Sequence, residues 1–200
     1  MAKEQCQLLI QAVQMADSPE ELLKAVQALA DHNSPEAIEP LIAVFGYNNP
    51  AAAALALRGI IRHGEVAVPP LLRLLDDYNY GARAYSMRAL AVIASPEALP
   101  LLLETAVRDF APSVRRSAAQ GLGRMCQGDS PQKVMPVLIQ ISQDGDWSIR
   151  YAAIAALEAL GHGAPALRES IQHWLAQRLD HETDQAVLAR IQLAQTRLGQ

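Results

Sequence analysis

Acidic and basic side chains recur at a fixed spacing along the chain. Three aspartates each stand six residues before an arginine, in the pairs Asp77 and Arg83, Asp109 and Arg115, and Asp144 and Arg150. A carboxylate and a guanidinium form charge-assisted hydrogen bonds, so such pairs can tie helices together or hold an acidic ligand. Because the pair recurs where a catalytic pair would occur once, the pattern favours a structural ladder with helix capping. The alternative is that some of the arginine heads receive ligand carboxylates.

The aromatic residues are few, and their positions are biased. The chain has two Trp, five Tyr and two Phe residues. Most fall in or just after the predicted turns between helices: Tyr47, Tyr78, Tyr80, Tyr85, Phe110, Trp147 and Tyr151. Tyr80 and Trp147 occupy equivalent positions, three residues before an arginine of the ladder. Flat rings beside guanidinium groups and carboxylates describe a groove for an extended, conjugated, acidic ligand or for a partner helix. The structural alternative is that these rings shield the backbone of the turns.

Other chemical sites have no support in the sequence. Cys6 and Cys126 have no neighbouring Cys or His, which argues against a disulfide framework or a zinc site. The net charge of −4 and the pI near 5.7 disfavour binding of nucleic acid through its phosphates. No apolar run approaches the roughly 20 residues of a membrane helix. We therefore expect a cytoplasmic protein with no membrane span, no bound nucleic acid and no metal site.

The elements that must position these residues follow an internal repeat. A proline followed by two aliphatic residues recurs at steps of 30, 30 and 36 residues, at Pro40, Pro70, Pro100 and Pro136. Together with the arginine series, this pattern indicates two helices in each unit. The predicted first helices cover about 36–45, 66–75, 96–107 and 132–142, and the second helices about 51–62, 82–94, 113–125 and 148–160. Further helices are predicted at about 4–15, from residue 19 onward, at 164–178 and at 184–198.

The period, the proline in the first helix and the Val-Arg or Ile-Arg that opens the second resemble HEAT-type repeats. This resemblance implies an all-α fold, a right-handed α-solenoid (superhelix) of HEAT-like helical hairpins. We expect five to six helical pairs in a single domain over residues 1–200, with the terminal pairs acting as caps. Gly64, Gly128 and Gly161 fall where a left-handed cap would end a helix.

Three stretches go beyond a generic repeat. They are YNYGARAY from Tyr78, DFAPSVRR from Asp109 and DWSIRYAA from Asp146. These turns resemble those of the E/F-type phycobilin lyases of cyanobacteria, and within that family the F (beta) subunits. Relatives of the F type that also isomerise the bilin carry a His-Cys motif, and no His stands next to a Cys here. The resemblance thus implies attachment of the bilin without isomerisation.

The resemblance also implies partners and a reaction. An E-type (alpha) subunit would form a heterodimer with this chain, and the heterodimer would bind phycocyanobilin as substrate, with no cofactor. A cysteine of the phycocyanin alpha subunit would then add across the ethylidene group of the bilin, so the nucleophile belongs to the client protein. Two alternatives remain open, a non-catalytic scaffold or chaperone and a phycobilisome-degradation factor that binds phycobiliproteins.

A linear tetrapyrrole is flat, conjugated and doubly acidic, which selects candidate site residues from the ladder and the rings. The predicted ligand-binding residues are Trp147, Arg83, Arg150, Tyr78, Tyr80, Arg115 and Tyr151. Asp77 is the candidate catalytic residue, because a carboxylate there could hold pyrrole N–H groups and favour the protonated, more electrophilic bilin.

Overall fold

The computed structural model describes residues 2–73 and 79–200. Over these residues the protein has twelve α-helices and no β-strand, and 80% of the chain is helical. The helices belong to two compact units, Met1–Ile93 and Ala94–Gln200. The first unit holds α1 (Ala2–Gln14), α2 (Pro19–Asp31), α3 (Ile38–Val44), α4 (Pro50–Arg62), α5 (Val68–Arg73) and α6 (Tyr80–Ile93). The second holds α7 (Leu99–Arg108), α8 (Pro112–Leu122), α9 (Ser130–Ile141), α10 (Trp147–Gly163), α11 (Arg168–Leu179) and α12 (Gln185–Leu198).

The repeated prolines set where the first helices of the hairpins begin. Pro40, Pro70 and Pro100 lie within the first three residues of α3, α5 and α7. The N–H groups of a first turn have no acceptor within the helix, so the missing N–H of proline costs nothing there. The α-helices consequently begin two or three residues later than predicted, after short 3-10 turns at Pro35–Ala37, Gly64–Ala67 and Pro96–Ala98. Pro136 differs because it lies inside α9, where its missing N–H removes one helical hydrogen bond.

Most of the second helices have a polar N-cap, whereas α8 begins after Ala111 with no side-chain cap. In α4, α6, α10 and α12 the side chain of the residue before the helix accepts a backbone N–H of the first turn. These caps are Asn49, Asn79, Asp146 and Asp184, with bonds of 2.8–3.0 Å to Ala52, Ala82, Ser148 and Ala186. The caps Asn79 and Asp146 stand directly before the candidate site residues Tyr80 and Trp147, so they fix the direction in which these two turns enter their helices.

Small residues let the second helices approach one another. In α4, a Cβ at Gly59 would lie 2.8 Å from the Cβ of Ala30 in α2. In the second unit, a Cβ at Gly123 would lie 2.7 Å from the Cα of Ala156 in α10. Such approaches leave no room for larger side chains, which accounts for a core built mainly from Ala, Leu, Ile and Val.

Two of the three predicted glycine caps are confirmed. Gly64 and Gly128 have φ of +57°, in the left-handed region. The prediction for Gly161 is wrong, because this residue lies within α10. Its hydrogen faces α12, where a Cβ would lie 2.8 Å from Leu198 Cδ2, so its role is close helix packing.

The fold class predicted from the repeat is confirmed as an all-α, HEAT-like solenoid. The prediction of a single domain over residues 1–200 stays a prediction. No helix in the described part of the chain is long and apolar enough to cross a membrane. Among the same residues, no three His, Cys, Asp or Glu side chains are grouped so as to hold a metal ion.

Candidate functional site

Arg115 joins two successive turns of the second unit. Its Nη1 donates to the backbone oxygen of Asp109 at 2.8 Å, and its Nη2 donates to Asp144 Oδ1 at 3.3 Å. The side chains of Arg115 and Asp144 are mostly buried, at 16% and 20% exposure. The guanidinium therefore closes its own turn and pairs with the acidic residue of the next hairpin. This is the arrangement that a structural role for the Asp-Arg pairs predicts.

Arg150 repeats this arrangement one hairpin further on. Its Nη1 donates to the backbone oxygens of Asp144 and Gly145, at 2.9 and 3.2 Å. Its Nε and Nη2 bind the two carboxylate oxygens of Glu182, both at 2.9 Å. A bidentate, charge-assisted bond of this kind is stronger and more specific in its geometry than a single neutral hydrogen bond. The charged head of Arg150 is thus engaged by a side chain of this chain.

Glu182 is a central residue of the second unit, and the sequence analysis missed it. It lies in the turn between α11 and α12, and its side chain is 1% exposed. Besides Arg150, it accepts bonds from Arg178 Nη2 at 3.1 Å and from the backbone N–H groups of Thr183 and Asp184 at 3.0 Å. Burial raises its pKa, but the hydrogen bonds from Arg150 and from the two backbone groups outweigh burial and lower the pKa to about 2. Glu182 is therefore a carboxylate throughout the physiological pH range.

A positional signal could have revealed Glu182. It stands two residues before the N-cap Asp184, as Asp144 stands two residues before the N-cap Asp146. It is therefore the equivalent of Asp144 in the terminal hairpin. The ladder continues with Glu in place of Asp.

Asp109 and Asp144 do not cap the second helices that follow them. Asp109 Oδ1 accepts from the N–H of Ala111 at 2.8 Å, and Asp144 Oδ1 accepts from the N–H of Asp146 at 2.9 Å. Both bonds brace the turn before the helix starts. The expected capping is therefore wrong for these two residues, because a separate residue, Asp146, takes the cap of α10.

The aromatic residues at the same turns are exposed. Trp147 and Tyr80 are the first residues of α10 and α6, and their side chains are 52% and 62% exposed. Tyr151 lies one turn after Trp147, on the same face of α10, and is 41% exposed. The guanidinium of Arg190 lies 5.9 Å from its ring centre. Trp147 and Tyr151 thus present two rings on one helix face.

The first unit contains an aromatic cleft of about 280 Å³. It lies between the turn that follows α3 and the start of α6. Its lining is formed by Phe45, Asn48, Asn49, Pro50, Ala53, Asn79, Tyr80, Gly81 and Tyr85. Phe45 and Tyr85 stack with ring centres 5.2 Å apart, and the guanidinium of Arg88 lies 5.3 Å from the ring centre of Tyr85. The cleft therefore has an ordered aromatic wall.

The structure separates the predicted site residues into buried arginines and exposed rings. Arg83 is buried, with 5% exposure, and the side chains of Arg115 and Arg150 are mostly buried, at 16% and 13%. Tyr80 and Arg83 belong to the first unit, and Arg115, Trp147, Arg150 and Tyr151 belong to the second. Asp77 and Tyr78 lie outside the described residues. The ligand-binding roles of all these residues stay predictions.

Known proteins share both the repeat and the full length of the chain. The family model of HEAT repeats matches residues 47–123 and 101–194, and that of the PBS lyase HEAT-like repeat matches residues 22–47. A phycocyanobilin lyase subunit beta from Nostoc sp. strain PCC 7120 is 52% identical over 94% of this chain and 98% of its own. The phycocyanin alpha phycocyanobilin lyase CpcF of Synechocystis sp. strain PCC 6803 is 44% identical over 92% of this chain and 89% of its own.

A solved structure gives the same result. A chain in the complex of CpcE and CpcF of phycocyanin lyase from Nostoc sp. PCC 7120 is 52% identical and superposes with a TM-score of 0.76. The match covers 81% of this chain and 99% of that one. The chain belongs to the family of HEAT-repeat phycocyanobilin lyase beta subunits.

Proposed function

We propose that this chain is the beta subunit of a heterodimeric bilin lyase. The enzyme binds phycocyanobilin and promotes its thioether attachment to a cysteine of the phycocyanin alpha subunit. The observation that carries the proposal is the 52% identity to a phycocyanobilin lyase beta subunit over nearly the whole of both chains. The solved relative in complex with CpcE supports an E-type partner subunit for this chain.

The chemistry of the attachment needs no nucleophile from this chain. The sulfur and the hydrogen of the client cysteine add across the ethylidene double bond of the bilin, and no group leaves. Burial raises the pKa of the Cys126 thiol, which disfavours a reactive thiolate there. The contribution of the subunit is then to hold the bilin in position, and positioning alone supplies a large part of the acceleration in such additions.

The exposed rings are the residues that we propose contact the bilin. Trp147 and Tyr151 on α10 and Tyr80 on α6 offer flat surfaces for a conjugated system. In the second unit, Arg115 and Arg150 support the turns that carry such rings, because carboxylates of the chain already occupy their guanidinium groups. Tyr78 and Asp77 remain proposed contacts, with Asp77 the proposed catalytic residue.

Reconstitution of the full reaction tests the proposal. The chain is produced together with an E-type subunit, the apo form of the phycocyanin alpha subunit and the enzymes of phycocyanobilin synthesis. Zinc-induced fluorescence of the denatured alpha subunit then reports covalently bound bilin. We expect fluorescence with both lyase subunits and background fluorescence when either is omitted. Background fluorescence with both subunits present would refute the proposal and favour a scaffold or chaperone.

A further inference from the structure

The described residues that line the aromatic cleft of the first unit carry no formal charge. Its nine described residues include no Asp, Glu, Lys, Arg or His. The polar groups that it offers are the side-chain amides of asparagines and the hydroxyl groups of two tyrosines. A charged ligand group would lose its hydration there without gaining an opposite charge. The described lining therefore favours an uncharged group.

The shape of the cleft selects a flat ring. One wall is the stacked pair Phe45 and Tyr85. The guanidinium of Arg88, which does not line the cleft, lies over the ring of Tyr85, and Tyr85 Oη donates to the backbone oxygen of Pro50 at 3.4 Å. Tyr80 stands exposed on the rim. Phe45 is only 3% exposed and Arg88 covers Tyr85, so an inserted flat ring would pack beside this pair and stack on the exposed ring of Tyr80.

The polar groups of the cleft can bind a ring that carries a carbonyl. The carboxamide oxygen of Asn49 caps α4, which leaves its NH2 group as a hydrogen-bond donor. Asn48 lines the cleft beside it and has φ of +53°, a backbone conformation that few residues other than glycine adopt. Donors of this type match the oxygen of a lactam.

We infer that this cleft is a subsite for a flat, uncharged lactam ring of the substrate. The inference rests on the proposed function, because a linear tetrapyrrole ends in two such rings while its propionates are carried by the inner rings. The volume of 280 Å³ lies at the lower end for ligand pockets, so the cleft holds one end of the molecule and leaves the acidic middle outside.

Filling the cleft is the direct test. Gly81 lines it as the second residue of α6, and among the described residues a Cβ there would meet Asn79 Oδ1 alone, at 3.2 Å. Gly81→Leu therefore places a side chain beside the cleft, and replacing a helical glycine favours the helix. Tyr80→Ala removes the rim by a second route, at a residue whose exposure makes folding insensitive to the change. Tyr47→Ala is the matched control, an exposed tyrosine of the neighbouring turn that does not line the cleft.

The measurement is a titration of phycocyanobilin, and of its dimethyl ester, into the purified complex of the chain with its E-type subunit. Absorbance reports binding, and gel filtration checks that each variant complex assembles. We expect Gly81→Leu and Tyr80→Ala to weaken binding about tenfold, which is the size of a lost stacking contact with its buried area, and Tyr47→Ala to leave it unchanged. The loss should be equal for the acid and the ester, because the cleft contacts an uncharged ring.

Each other result has a definite meaning. Normal affinity in both variants, with a wild-type complex that binds and transfers the bilin, would overturn the subsite and leave the proposed function intact. A loss confined to the free acid would also overturn it, because the cleft would then serve the propionates. A wild-type complex that neither binds nor transfers the bilin would refute the proposed function itself.

Discussion

Removal of the Glu182 carboxylate should unfold the second unit at a much lower denaturant concentration. Glu182→Ala leaves Arg150 and Arg178 without their shared acceptor, while their side chains are only 13% and 16% exposed. Breaking a buried ion pair by deleting one partner costs about 3–5 kcal/mol, because the remaining charge stays buried and unpaired. Two backbone N–H groups lose their acceptor as well, which places the expected loss of unfolding free energy in the upper part of that range.

Tryptophan fluorescence isolates the relevant transition. Both tryptophans of the chain, Trp147 and Trp174, lie in the second unit, so a urea titration followed by their emission reports on that unit. Glu104→Ala in α7 is the matched control, since it breaks an exposed pair with Arg108 whose side chains are 61% and 78% exposed. Exposed pairs contribute less than about 1 kcal/mol. Equal midpoint shifts for the two variants would refute the assignment of Glu182 as the buried anchor of the ladder.

Three further results follow from the same structure. Because the pKa of Glu182 is lowered from 4.5 to about 2, its ionised carboxylate stabilises the fold above pH 4.5, and this contribution of about 3 kcal/mol is lost as the pH falls towards 2. Glu182→Gln should therefore reduce the loss of stability over this pH range in an acid titration followed by fluorescence. Gly123→Ala should destabilise the protein by about 1–3 kcal/mol in urea because its Cβ would meet the backbone of Ala156, whereas Gly145→Ala, with nothing within 4 Å, should not. Trp147→Pro should keep the helix content and the unfolding free energy within about 1 kcal/mol by circular dichroism, yet reduce chromophore transfer per folded molecule; unchanged transfer would remove Trp147 from the site.

The architecture could be predicted from the sequence because the same residue pattern recurs in each helical hairpin. The alternation of first and second helices, the positive φ of Gly64 and the pairing of Arg115 with Asp144 all follow from patterns that recur. Gly161 was misjudged because a glycine can either end a helix or admit a neighbour, and only the position of Leu198 separates the two. The sequence offers no local sign of such a long-range contact.

The candidate site was harder to predict, since composition does not reveal which groups are already used. Arg150 looks like a ligand clamp from its neighbours in the sequence, but its acceptor lies 32 residues further along, in a turn that begins a terminal hairpin. Burial and pairing, which decide whether a charge is available, are properties of the folded chain. Tyr80 and Trp147 are more than half exposed, whereas the guanidinium of Arg190 lies 5.9 Å from the ring centre of Tyr151, and the ligand-binding roles of all these residues stay predictions.

The residue at the first position of each second helix shows which residue types the fold itself needs there. Proline is preferred at this position, since its fixed φ suits a helix and its missing N–H is not needed there. Three of these helices follow that preference, α2 with Pro19, α4 with Pro50 and α8 with Pro112. The helices α6 and α10 begin instead with Tyr80 and Trp147, whose rings are more than half exposed. Asp146 before Trp147 has φ of −82° and ψ of 117°, an extended conformation that would also accept a following proline. The fold does not require a large ring at this position of α10, and Trp147 is more than half exposed, which supports the proposal that this ring contacts the bilin.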